Sequence, residues 1–83
     1  LLEVEMKRKV YLTFPRKLIQ EPLIYQVGHQ FDVVTNIRCA NVTEELGLVG
    51  LEFQGEASEI EAALNFLDSK GVKVEPVVMD VME

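Results

Sequence analysis

Asn36 and Arg38 are the side chains whose type and spacing best suit recognition chemistry. They stand two apart in a strand-like run, so both fall on one face, because successive strand side chains alternate. An Asn amide pairs with an amide or a carboxylate, and an Arg guanidinium can take a carboxylate through two parallel hydrogen bonds. Beside an apolar pocket, that pair suits a small zwitterion such as an amino acid. Ile37, which lies between them, and Tyr25, off the expected core stripe, are the apolar candidates for such a pocket. An ordinary polar edge strand carries the same residue types, and residue chemistry alone favours that plainer reading.

No other group of residues makes a catalytic constellation, and an enzyme is not expected. His29 is the single histidine and Cys39 the single cysteine, so neither has a partner at metal-ligand spacing and no internal disulfide can form. No metal or other cofactor is expected. Cys39 falls on the inward parity of its strand and is expected as a small buried hydrophobe. The carboxylates are scattered: Glu44 and Glu45 sit in a turn, and Glu59 and Glu61 flank an apolar helix stripe. None shows the apolar pocket and like-charged neighbour that general acid–base work requires. The string Gly47-Leu48-Val49-Gly50 lacks the lysine of a phosphate loop and precedes no helix.

The elements that must position these residues fit one small domain of 83 residues. A strand at 8–14 places Val10, Leu12 and Phe14 on one face, and Pro15 should end its ladder. A connector at 16–20 leads to a helix at 21–30, with Pro22 at the first helical position and Leu23, Ile24, Val27 and Phe31 facing the core. The second strand, 32–43, is expected to turn Ile37 and Cys39 inward. The third, 47–54, turns in Val49, Leu51 and Phe53. A helix from Ala57 or Ser58 to Lys70 buries Ile60, Ala63, Leu64 and Leu67. Ser58 and Glu61 have capping-box spacing, and Gly71 suits the position after the helix. Pro76 confines the last strand, 73–79, to an edge.

The order β-α-β-β-α-β predicts an α+β, ferredoxin-like sandwich: a four-stranded antiparallel sheet in order 4-1-3-2 with both helices on one face. The domain is expected over 8–79, with 1–7 a flexible tail or tag remnant and 80–83 a second tail. On the uncovered sheet face the alternation puts Tyr11, Thr13, Leu48, Gly50, Val77 and Met79. Several are apolar, so a homodimer through this face or an edge strand is expected.

Charge narrows the partners. The net charge is −6, and the imbalance is uneven: residues 1–42 carry six basic and four acidic side chains, residues 43–83 two and ten. An acidic total disfavours nucleic acid and anionic membrane. The apolar runs are too short for a membrane span or a secretory signal, and with the lone cysteine this leads to a cytoplasmic expectation.

The segments TFP at 13–15, QEPLIY at 20–25, Phe31, the Asn36-Ile37 pair and FQGEASEIEAALNFLDSKGVKVE at 53–75 together resemble the NIL domain family. The resemblance covers about residues 8–79. It implies a ferredoxin-like regulatory domain of the kind that ends the ATP-binding subunit of bacterial methionine importers, where it binds methionine and inhibits transport. The family's Asn-Ile-Leu string is Asn36-Ile37-Arg38 in this chain, with a charged third residue. The start KRKVYLTFP and the QEPLIY string look more like the copies fused to iron–sulfur ferredoxin modules. The alternative to a ligand-binding regulator is therefore a dimerisation or docking module beside a ferredoxin partner.

Overall fold

A computed structural model describes residues 5–77. Strand β1 runs over Glu5–Pro15, followed by a 3-10 turn at Arg16–Leu18 and helix α1 at Leu23–Gln30. Strands β2 (Val33–Val42) and β3 (Leu46–Glu56) form a hairpin, then helix α2 (Ala57–Lys70) leads to β4 (Lys73–Pro76). The sheet order is β2-β3-β1-β4, the expected 4-1-3-2, and every pairing is antiparallel. Pro76 sits on a strand that pairs only with β1, so its missing N–H interrupts no central ladder.

Alternation builds the core as expected. Val10, Leu12 and Phe14 of β1 and Val49, Leu51 and Phe53 of β3 are buried, with Val10 opposite Leu51. Leu23 and Val27 of α1 and Ile60, Ala63 and Leu67 of α2 close over them. Phe31 meets Phe66 with ring centroids 5.7 Å apart, joining the end of α1 to α2.

The start of α1 and the capping of α2 differ from expectation. Pro22 is the N-cap of α1 rather than its first helical residue, and α2 starts at Ala57, so the capping box of Ser58 and Glu61 is not formed. Glu59 instead accepts the Asp32 N–H at 2.8 Å, tying α2 to the turn before β2. At the far end of α2, Gly71 takes φ 104°. Its N–H donates to Asp68 O and that of Val72 to Leu67 O, the Schellman arrangement.

Strand β2 corrects the inward assignment of Cys39. Ile37 lies opposite Leu51 and Cys39 opposite Gly50, so Arg38 is the extra residue of a bulge. The bulge reverses the parity, and Cys39 turns to the open face, where it is exposed. Ile37 keeps the helix side, yet it is 55% exposed rather than core. The reason is cover: β2 is an edge strand, α1 has only eight residues, and within β2 only Val33 is buried.

Candidate functional site

The hairpin β2–β3 carries polar chemistry on its open face. Asn36 stands directly across from Glu52, since facing residues of an antiparallel pair share a face. The Arg38 guanidinium lies 4.0 Å from the Glu52 carboxylate, with side chains 29% and 16% exposed. Two residues on from Asn36, Arg38 is the diagonal neighbour of Glu52 across the strand pair. An amide, a cation and a carboxylate thus meet on one strand pair. Glu52 was not among the sequence-derived candidates; its signal was its place on the outward parity of β3.

Tyr25 does not join this group. It lies on α1, on the other side of the sheet, 68% exposed and stacked on His29 one turn later, with ring centroids 5.6 Å apart. There it lines an apolar cavity of about 240 Å³ with Phe14, Ile19, Pro22, Leu23, Ile24, Val42, Gly47 and Val49, with Glu21 at the wall. The cavity exists because the chain must travel from β1 to α1 through the 3-10 turn, whose Leu18 is buried while Ile19 is only half-buried. Val42 reaches the helix side because of the bulge, which pairs it with Gly47. Ile37 belongs to neither group, although it shares the helix side with the cavity.

The expected open-face residues are brought together, in two cross-strand rows. Gly50 pairs with Tyr11 and with Cys39, and Leu48 pairs with Thr13 and with Asn41. Val77 follows β4, its N–H donating to Lys9 O. Met79 lies outside the described residues. The face is less apolar than expected, since Lys7, Lys9, Glu52, Gln54, Lys73 and Glu75 share it by register. Tyr11 and Thr13 are half-buried, Gly50 is buried, and Leu48 is exposed. The exposed large apolar side chains of the hairpin are Val34, Ile37 and Val42 of β2 and Leu46 and Leu48 of β3. By register Val34, Leu46 and Leu48 lie on the open face and Ile37 and Val42 on the helix side.

Among the described residues, no cluster of His, Cys, Asp and Glu could hold a metal ion. Among them too, no helix is long and apolar enough to cross a membrane.

The model of the NIL domain family matches residues 8–76. The chain is 36% identical over 78 residues to methionine import ATP-binding protein MetN 2 of Acinetobacter baylyi. That match covers 88% of this chain and 23% of the relative, so the chain spans about a quarter of the relative's length. Its fold is similar to the C-terminal domain of an ABC transporter ATP-binding protein from Enterococcus faecalis. There the TM-score is 0.75 at 22% identity, covering 88% of this chain and 86% of that one. With the family model spanning nearly all of the described residues, from β1 through β4, the chain belongs to the NIL domain family.

Proposed function

We propose that this chain is a non-catalytic regulatory domain that binds a small apolar amino acid of the methionine class and acts as a homodimer. The observation that carries the reading is the apolar cavity beside the β2 edge. Its volume of about 240 Å³ lies just below the roughly 300–1,000 Å³ of drug-sized sites and suits a single amino-acid side chain. The name of the Acinetobacter relative, a methionine import protein, supports the choice of ligand.

The second copy pairs along β2. This edge strand is ten residues long, bears one charge (Arg38) and exposes Val34, Ile37 and Val42. A long, apolar, uncovered edge is a template for another strand. A two-fold axis across it would extend the sheet and shield those side chains. In such a dimer each cavity lies beside the seam, which gives ligand occupancy a route to the assembly.

Calorimetry and sedimentation with L-methionine test both parts. Saturable binding and a dimer at micromolar concentration are expected, and Val42→Trp should block the cavity without touching the core. A panel of amino acids without effect at millimolar concentration would refute the ligand. Binding lost in Asn36→Ala but retained in Val42→Trp would move the ligand to the Asn36–Arg38–Glu52 group on the open face. If no ligand binds and Leu48→Glu dissociates the dimer, the chain is a docking module built on the open face.

A further inference from the structure

On the open face, opposite charges stand side by side on the two central strands, since Lys9 of β1 pairs with Glu52 of β3. The next row pairs Tyr11 with Gly50, and the row after it pairs Thr13 with Leu48. We propose that this face packs on the same face of a second copy, about a two-fold axis running along the strands between β1 and β3. The contact is separate from the β2 edge and needs no ligand.

Charge sets the direction of the axis. With the axis along the strands, β1 of each copy lies over β3 of the other, and each cross-strand row meets its own equivalent. Lys9 then faces Glu52 of the second copy, Lys7 faces Gln54 and Thr13 faces Leu48, each contact occurring twice. At the flanks β2 lies over β4. Asn41 comes to Lys73, and Arg38, in the bulge beside Cys39, comes to Glu75. No like charges meet among these pairs. An axis turned by a right angle, along the row of Tyr11 and Gly50, would set Lys9 and Glu52 against Thr13 and Leu48. Both charges would then leave water facing uncharged groups.

The face is suited to cover. Glu52 is already drawn from water, its side chain 16% exposed, and Lys9 is half-buried, so a second sheet adds less desolvation than it would for a fully solvated pair. The rows beside them are uncharged on the central strands, with Gly50 buried, Tyr11 and Thr13 half-buried and Leu48 exposed. Four strands about 4.8 Å apart and about eight residues long give a face of roughly 500 Å². Two such faces bury about 1,000 Å² in all, the lower limit for a specific interface. Association through this face is therefore weaker than a micromolar dimer and belongs at about 100 μM and above.

Sedimentation equilibrium of the parent chain, Lys9→Glu, Glu52→Lys and an equimolar mixture of the two variants tests the contact. The parent mass should rise with concentration in the upper range. Lys9→Glu sets carboxylate against carboxylate on both sides of the axis, and Glu52→Lys sets ammonium against ammonium. Each alone should associate about tenfold or more weakly. In the mixture every contact between a copy of one variant and a copy of the other joins opposite charges, so association should return. Within each copy the like-charge neighbours remain, so recovery on mixing reports contact between copies and not repair of the fold. Glu75→Lys lies at an exposed flank and sets like charge against Arg38, so it should weaken the same association even if reversal at Glu52 unfolds the chain. Variants that associate as the parent does, or a mixture no stronger than its components, would overturn the proposal. So would a parent chain that never exceeds its low-concentration mass at millimolar concentration. A micromolar dimer kept by both variants would leave the β2 pairing intact whichever way the face contact falls.

Discussion

Adding one methyl group at three glycines should give three different results, and Gly55→Ala is the informative one. A Cβ at Gly55 would lie 2.9 Å from Asp32 O and 3.3 Å from Val33 Cγ1. The backbone it meets is tethered: the Asp32 N–H donates to the Glu59 carboxylate at 2.8 Å, and the Val33 N–H to Phe31 O at 2.8 Å. Forcing a group into a site that cannot recede costs about 1–3 kcal/mol. Replacing a strand glycine by alanine returns about 0.5–1 kcal/mol of backbone entropy. The net cost is then centred on about 1 kcal/mol and is at most about 2.5 kcal/mol, the central value being a fall in Tm of roughly 4–8 °C for a domain of this size.

Gly47 is the control within the same strand. Its added Cβ would make ordinary contacts, 3.5 Å to Phe14 Cβ and 3.7 Å to Ile19 Cγ1, so about 0.5 kcal/mol of stabilisation should remain. At Gly28, on the exposed side of α1, nothing lies within 4 Å, and alanine should stabilise by about 1 kcal/mol. Urea unfolding followed by circular dichroism, extrapolated linearly to water, measures all three. Gly55→Ala as stable as the parent would refute the close approach of the α1–β2 turn to β3. So would Gly47→Ala proving the most damaging of the three.

Two further outcomes test the core and the bulge. Leu51 is fully buried at the centre of β3, and Leu51→Ala should cost about 2–5 kcal/mol in the same urea assay; a loss under 1 kcal/mol would show that the core lies elsewhere. Cys39 should react with a thiol reagent in the native protein within about tenfold of its rate in denaturant, because an exposed side chain needs no opening event. Labelling of dilute protein only after unfolding would restore the inward parity and refute the bulge at Arg38.

Much of the fold was legible in the sequence because its signals are local. Val10, Leu12 and Phe14 alternate, as do Val49, Leu51 and Phe53, and both runs are buried as the alternation requires. Pro76 excluded a central strand by lacking a donor, and Gly71 marked the end of α2 by tolerating positive φ. These are properties of a residue and its near neighbours, so they hold before any tertiary contact forms. The pairing of Asn36 with Arg38 on one face came from the same period-two reasoning.

Tertiary structure alone decided the rest. The bulge at Arg38 is a mismatch between two strands, visible only when β2 is set against β3, and it turns Cys39 outward and Val42 toward the helices. Glu52 joins Asn36 and Arg38 through that same cross-strand register. Tyr25 parts from them because α1 packs on the opposite side of the sheet. Arg16 and Glu45 lie 29 positions apart, yet their side chains come within 4.0 Å because the 3-10 turn and the β2–β3 turn lie at the same end of the sheet. The sequence carries periodicity, which sets which way each strand faces; register and cover are relations between strands and helices distant in sequence, and only the packed chain fixes them.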